Sequence, residues 1–177
     1  MESKLFRVGI GFDCHRFDHS IQIDSEQNKI KLCGIQVPCP YKIIAHSDGD
    51  LVLHALTDAL LGAMGKGDIG EHFPPTDQKW ENANSETFVL FALNLLKEQA
   101  GTINNIDITI ITEVPKISPY KDKFARKLSN LLSLEQNRIN VKAKTAEKMG
   151  AIGREEGIAC QIVIGIEISQ SQRATTS

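Results

Sequence analysis

Aromatic residues are scarce in this 177-residue chain: one Trp, two Tyr and seven Phe, 6% in all. A surface that grips single-stranded nucleic acid interleaves such rings with basic residues, and this chain has few to spare from a core. The formal net charge of -2 is also no footprint of a nucleic-acid binder. Cysteine is rare. Cys14, Cys33, Cys39 and Cys160 form no CxxC pair, which argues against a thiolate zinc cage and against a disulfide scaffold. No apolar run nears the roughly 20 residues needed to cross a bilayer, so no membrane partner is expected. The opening segment MESKLFRVGIGFD has neither the apolar stretch of a signal peptide nor transit character. A reducing, cytoplasmic location is the expectation.

What is present suits a globular protein. The chain is 41% hydrophobic and 24% charged, and its length fits one domain, expected over residues 1–169 with a frayed tail over 170–177. Charge is uneven. Residues 10–90 hold 12 acidic against 6 basic side chains, and residues 115–148 hold 9 basic against 3 acidic. An acidic, His-bearing half and a basic half suit a metal facing a phosphate; chance asymmetry of solvated surface gives the same counts.

Residues 5–17 alternate. Val8, Ile10, Phe12 and Cys14 share one face of a strand; Gly9, Gly11, Asp13 and His15 share the other, which carries no bulky apolar group. Short β-like runs fall at IQID and IKLCGI. HSDGD offers N-caps for the helix LVLHALTDALLGAM, a Gly/Pro-rich loop covers 65–77, and a second helix runs from near Asn84 to Gly101 as its C′ residue. A strand at 105–112 precedes a helix opened by Ser118-Pro119. Ser133 and Gln136 read as a capping box, and strands are expected at 139–145 and about 157–169. This order predicts an α+β fold: a mixed β-sheet with helices packed on one side.

Asp13 and His15 leave the same face of their strand, offering one oxygen and one nitrogen to a cation. His54 lies on the first helix with Asp58 one turn further along the same face. Two imidazoles and a carboxylate with an open fourth position suit catalytic zinc; alternatively Asp58 orients the His54 ring, or His54 is a core histidine bonded to a carbonyl. His46 and Ser47 are either part of a helix cap or phosphate contacts at a helix N-terminus. Lys116 sits between Pro115 and Pro119, as a surface lysine or as part of a loop holding a phosphate or base edge. Thr145 can donate to phosphate and Glu147 can bind a hard cation; the alternative is a solvated strand end. Gly153–Gly157 reads as a tight turn with an ion pair.

The segments RVGIGFDCHRF, AHSDGDLVLHALTDALLGAMGKGDIGEHFPPTD, TEVPKISPY, INVKAKTAEKMG and GREEGIAC together resemble the 2-C-methyl-D-erythritol 2,4-cyclodiphosphate synthase family over about residues 6–166. The resemblance implies a homotrimer with active sites between subunits. It implies zinc on Asp13, His15 and His54, and a second ion, Mg²⁺ or Mn²⁺, on Glu147 and the diphosphate. His46 and Ser47 would touch phosphates, and His46 with Thr145 would stabilise the transition state. Asp68, Ile69 and Gly70, with the loop Phe73–Asp77, would hold the ribose and methylerythritol region. Thr112 to Ser118, including Lys116 and Ile117, would cradle the cytidine, and Lys144, Thr145, Ala146 and Glu147 would line the diphosphate. Arg154 and Glu156 would line the trimer's central cavity.

The implied reaction cyclises 4-diphosphocytidyl-2-C-methyl-D-erythritol 2-phosphate and releases CMP. Its attacking group is already an anion, so charge neutralisation and positioning matter more than a strong base. The chain departs from the family pattern at Ile10, Pro75, Lys144, Ala146, Ala151 and Glu155; the departures touch substrate fit and leave the ligand set intact. Two other readings use the same residues: a zinc phosphohydrolase, and a nucleotide-binding module on the basic half.

Overall fold

The computed structural model describes residues 4–20, 28–80 and 82–169. The expected run IQID and the tail 170–177 lie outside them.

The alternating N-terminal segment forms β1 (Lys4–Asp18). It pairs antiparallel along its length with the isoleucine-rich β7 (Gly157–Ser169), from Lys4 opposite Ser169 to Arg16 opposite Gly157. Between them in sequence come β2 (Lys29–Leu32), β3 (Ile35–Pro38), β4 (Lys42–Ile44), α1 (Leu51–Met64), α2 (Ile69–His72), α3 (Glu86–Glu98), β5 (Thr102–Ile111), α4 (Lys121–Leu132), β6 (Ile139–Lys144) and α5 (Gly150–Gly153). The main sheet runs β4-β1-β7-β5-β6, and β2 and β3 form a separate hairpin. All pairings in the main sheet are antiparallel except β5 with β6. That parallel pair needs a crossover, which α4 supplies.

One sheet face carries Ile158, Cys160, Ile162, Ile164 and Ile166 of β7 with Ile106, Ile108 and Ile110 of β5, all buried. Val141 pairs with Ile108 and so faces the same way. This is the face α1 and α4 cover. The expectation of a mixed sheet with helices on one side agrees with this arrangement.

Glycine decides how α1 lies. A Cβ on Gly9 would come within 1.9 Å of the Ala59 carbonyl oxygen, and one on Gly11 within 1.8 Å of the Ala55 oxygen. The two glycines meet the alanine row Ala55, Ala59 and Ala63, so helix backbone rests on strand backbone. With the sheet beneath it and α3 alongside, α1 is buried all round except at His54, Asp58 and Gly62. These three stand four residues apart, one stripe along the helix.

The N-terminus of α1 is fixed by Asp50, fully buried, whose carboxylate accepts from the N–H groups of Leu53 (3.2 Å), Cys33 (3.0 Å) and Gly34 (2.6 Å). It caps the helix and also holds the β2–β3 turn, where Cys33 and Gly34 both have positive φ.

Two local expectations fail. The left-handed residue after α3 is Ala100 (φ 50°), with Gly101 one place later. Gly101 is needed for space: a Cβ there would meet Leu96 at 2.4 Å. Ser133 is no N-cap; it closes α4 in a left-handed conformation, and the 3-10 turn Gln136–Arg138 starts from Glu135 without a side-chain cap. A Ser three residues before Gln matches a capping box in letters, but the helix end just before it had first claim on Ser133.

Candidate metal centre and its surroundings

The close contact of β1 and α1 brings Asp13, His15 and His54 together, with one ligand atom from each within 4.8 Å of the others. His15 Nε2 lies 3.2 Å and His54 Nδ1 3.1 Å from the same oxygen, Asp13 Oδ2. The opposite ring nitrogens have their own partners. His15 Nδ1 is 3.2 Å from the Gly49 carbonyl, and His54 Nε2 is 2.9 Å from Ser85 Oγ and 3.1 Å from Ser47 Oγ. When His15 donates Nδ1–H to Gly49, its Nε2 lone pair is aimed at Asp13.

A Ser–His–Asp chain of this kind has the connectivity of an acyl-transfer triad. The second imidazole argues otherwise. His15 brings another nitrogen lone pair to the carboxylate oxygen His54 already faces, which a triad has no use for and a cation does. Without a cation the rings donate to Asp13 instead: burial opposes the Asp13 charge, but hydrogen bonds from His15 and His54 outweigh it and hold its carboxyl at about 2. Burial likewise opposes protonation of His15, and Asp13 overcomes it, raising the imidazole above its ordinary value. Two imidazoles and a carboxylate around one point fit zinc, which in catalytic sites takes a further ligand from water or substrate.

Asp58 does not orient His54. Its Oδ1 accepts the Ile69 N–H at 2.7 Å, tying the Gly-rich loop to α1. Burial raises its carboxyl above the ordinary range, against the pull of that hydrogen bond. Asp68 caps α2 through the Glu71 N–H, Gly70 is exposed, and Asp77 accepts from the Lys79 N–H. The Phe73 ring packs among Phe88 (4.5 Å between centroids), Trp80 (4.8 Å) and Phe91 (5.1 Å). That cluster anchors the loop where its sequence is Pro-rich. His46 is exposed and, with Pro75, Thr76, Gln78 and Trp80, lines a cavity of about 250 Å³.

The basic cluster is built at the ends of β5 and β6. The Thr112 N–H donates to the Lys144 carbonyl, and the Thr112 hydroxyl turns inward to the Val114 carbonyl. Of residues 112–118 only Lys116 and Ser118 expose their side chains; Thr112 and Ile117 are buried. Beyond β6, Glu147 and Lys148 both have positive φ, and Ala146 is half-buried. Buried Glu113 holds this turn, accepting from Ala146 N (3.1 Å) and Lys148 N (3.3 Å) and pairing with Lys148 Nζ (3.1 Å). The Thr145 hydroxyl donates to Glu147. Arg154 Nε donates to Glu156 at 2.6 Å on the exposed turn before β7.

Glu147 is not part of the metal triad. The register runs Cys14–Ala159–Ile111–Lys144 across the sheet. The strand ends carrying the two clusters are therefore three strand spacings apart, on the order of 14 Å. Sequence reasoning missed Ser85, Gly49 and Glu113. Ser85 stands at a helix start and reads as a cap, and Gly49 acts through a carbonyl that every residue has. Glu113 gives only the signal of an acid beside a Pro-rich loop.

The model of the YgbB family matches residues 6–167. A 2-C-methyl-D-erythritol 2,4-cyclodiphosphate synthase of Ehrlichia ruminantium is 52% identical over 160 residues, which span 90% of this chain and 92% of that protein. The solved bifunctional IspDF of Campylobacter jejuni superposes with a TM-score of 0.85 at 39% identity, covering 94% of this chain and 43% of that one. A CDP complex of IspF from Plasmodium falciparum gives a TM-score of 0.78 at 32% identity, covering 94% and 97%. No helix among the described residues is long and apolar enough to cross a membrane. With a match that takes in most of β1, the candidate metal triad and the basic cluster together, the chain belongs to the YgbB family, alongside curated 2-C-methyl-D-erythritol 2,4-cyclodiphosphate synthases.

Proposed function

We propose that this enzyme converts 4-diphosphocytidyl-2-C-methyl-D-erythritol 2-phosphate to 2-C-methyl-D-erythritol 2,4-cyclodiphosphate and CMP, a step of isoprenoid synthesis and a phosphorus–oxygen lyase reaction. The observation that carries the reading is the convergence of His15 Nε2 and His54 Nδ1 on Asp13 Oδ2 in a chain of this family. An oxygen of the substrate's own 2-phosphate attacks the β-phosphorus. The bond from that phosphorus to the bridging oxygen breaks, and CMP leaves with that oxygen. Zinc at Asp13, His15 and His54, and Mg²⁺ or Mn²⁺ at Glu147, supply Lewis-acid neutralisation of phosphate oxygens when bound.

The chain's residues do the rest. Exposed Lys116 and Lys144 offset phosphate charge on the nucleotide side, with Ser118 beside the cytidine. Thr145 donates to the phosphate that develops charge, and His46 and Ser47 donate from the metal side. Asp68 to Gly70 and the Phe73–Asp77 loop close over the methylerythritol. Fixing both ends of the substrate removes the entropy of ring closure, a contribution on the order of 7–11 kcal/mol where geometry is ideal.

The active site belongs to a homotrimer in this reading. The two clusters of one chain stand three strands apart, and a neighbouring subunit brings its basic cluster to this chain's metal centre. The exposed stripe Phe6, Val8, Ile10 and Phe12 on the helix-free sheet face supports such an assembly. The free thiols of Cys14, Cys33, Cys39 and Cys160 suit a cytoplasmic setting.

Phosphorus NMR of the reaction mixture tests the proposal. Cyclic diphosphate and CMP should appear in equal amounts, and chelator-treated enzyme should be inactive until zinc is restored. Release of inorganic phosphate would instead make the protein a metal-dependent phosphohydrolase, with water in place of the internal nucleophile.

A further inference from the structure

We propose that Ser85 is the positioning residue for His54, favouring the tautomer that offers the Nδ1 lone pair to a cation. The inference rests on reading Asp13, His15 and His54 as zinc ligands and adds to it the device that prepares one of them.

Ser85 occupies the N-cap position of α3 and is fully buried, yet its hydroxyl makes no cap bond. It turns back instead. Ser85 Oγ donates to Asp48 Oδ1 and lies 2.9 Å from His54 Nε2. A hydroxyl has one hydrogen. With that hydrogen on Asp48, Ser85 can only accept from the imidazole, so it favours a proton on Nε2 and a free Nδ1 lone pair, against Asp13 Oδ2, which draws the proton to Nδ1 until a cation takes its place.

Asp48 is held so that it cannot turn away. Its Oδ2 accepts from the Ser85 backbone N–H at 3.1 Å and from Lys31 Nζ at 2.7 Å. The chain Lys31–Asp48–Ser85–His54 thus draws on β2, the loop before α1, α3 and α1. The Lys31 charge keeps Asp48 an acceptor, Asp48 keeps Ser85 oriented, and Ser85 sets the ring.

Ser47 cannot replace Ser85. Its Oγ is 3.1 Å from the same nitrogen, but it accepts only from Gly49 N at 3.3 Å, and its own hydrogen has no acceptor other than His54 among the described residues. Ser47 can donate to Nε2 or accept from it, so alone it would permit both tautomers. Ser85 accepting the imidazole proton leaves the Ser47 hydroxyl able to donate outward. The two serines divide the work: one sets the ligand, the other faces the substrate side.

The test uses the full-length protein and reads zinc and tautomer rather than turnover. Zinc affinity is measured by competition with a chromophoric chelator. Imidazole nitrogen NMR of the zinc-free protein, at a pH where His54 is neutral, reports which ring nitrogen carries hydrogen. Ser85→Ala should weaken zinc binding 10- to 100-fold, the range for loss of an outer-shell partner, and should shift the zinc-free ring from Nε2–H toward the Nδ1–H form that Asp13 favours. Asp48→Asn, which keeps the size of the side chain but lets an amide donate to Ser85, should shift His54 toward the Nδ1–H form and weaken zinc binding as well. It serves if Ser85→Ala does not fold. Ser47→Ala should leave both readouts within about threefold of wild type.

A Ser85→Ala protein with unchanged tautomer and zinc affinity would overturn the proposal and leave Ser85 as a tie between α3 and the loop. A wild-type protein that binds no zinc would overturn the metal reading instead. The tautomer measurement, made without metal, would still decide the role of Ser85.

Discussion

At the scale of single residues, Asp13 is caught between two imidazoles, and this makes the metal-free protein sensitive to pH in a defined direction. The Asp13 carboxyl falls from 3.8 to about 2 on folding. Its contribution is therefore complete above the unfolded value and disappears as pH falls through the folded one; it amounts to roughly 2 kcal/mol. His15 is raised above its ordinary 6.5. Its contribution is complete below 6.5 and is lost as pH rises through the folded value. Both describe one interaction, so the energies are not summed. The stability of the zinc-free protein, measured by urea unfolding, should thus be greatest between about pH 4 and 6.5 and fall on both sides. Saturating zinc should remove the alkaline fall, because ligation needs neutral imidazole. Asp13→Asn should flatten the zinc-free profile across both limbs; a profile parallel to wild type would mean that the pair contributes nothing. The spacing Asp-x-His on an alternating strand makes Asp13 and His15 legible from sequence. The partner of His54 is not: Asp58, one turn along the helix, is the local candidate, whereas Ser85 comes from 31 positions away and only the fold brings it near.

At the scale of elements, the site exists because β1 and α1 touch backbone to backbone. Gly9 and Gly11 precede Asp13 and His15 on one strand face, and the alanines of α1 answer them, so the row that permits contact leads directly into the row that binds. Gly11→Ala puts a methyl within 1.8 Å of the Ala55 carbonyl oxygen, which helix backbone cannot yield to without moving. Overpacking of this kind costs about 1–3 kcal/mol or more, and here the displacement carries His54 away from Asp13. Gly11→Ala should both lower the melting temperature and reduce zinc content. A destabilised variant with full zinc occupancy would show that the ligands do not depend on the helix seat. The period-2 and period-3.6 patterns reveal both elements in the sequence, but not that the face without bulk is the seat of α1. The short strand β4, the four-residue helices α2 and α5, and the ends of α3 and α4 are not readable, since each depends on contacts outside its own window.

The turn after β6 belongs to the same scale. Two consecutive non-glycine residues, Glu147 and Lys148, are left-handed, which is unfavourable unless surroundings enforce it. Buried Glu113 supplies that enforcement through two N–H groups and the Lys148 ammonium. Burial works against its charge, but Lys148 and the backbone donors prevail and hold its carboxyl below the ordinary range. Glu113→Ala should free the turn, raise KM for the nucleotide substrate several-fold, and leave zinc content unchanged. Equal loss of zinc would mean that the two clusters are not independent. Glu113→Gln, whose amide oxygen can still accept both N–H groups while the Lys148 ion pair is lost, should stay closer to the wild-type KM than Glu113→Ala.

For the whole molecule the telling feature is the sheet face without helices. Phe6, Val8, Ile10 and Phe12 are 54%, 55%, 62% and 57% exposed along β1, with Val163 of β7 beside them. Alternation predicts a bulky apolar face on this strand. It does not say that the glycine face would be the one the helices cover, leaving the bulky one open. A single protein molecule seldom leaves such a stripe in water. The proposed trimer covers it, and in the same step brings a basic cluster to each metal centre. The double variant Ile10→Lys, Phe12→Glu places charges on the stripe without touching the α1 seat, since those side chains point away from it. Analytical ultracentrifugation should find wild type trimeric and the variant monomeric. The variant should keep its zinc, because all three ligands come from one chain, yet lose nearly all cyclase activity, because neither cluster alone surrounds both ends of the substrate. A monomeric variant with wild-type turnover would place the complete site within one chain and remove the need for a neighbour.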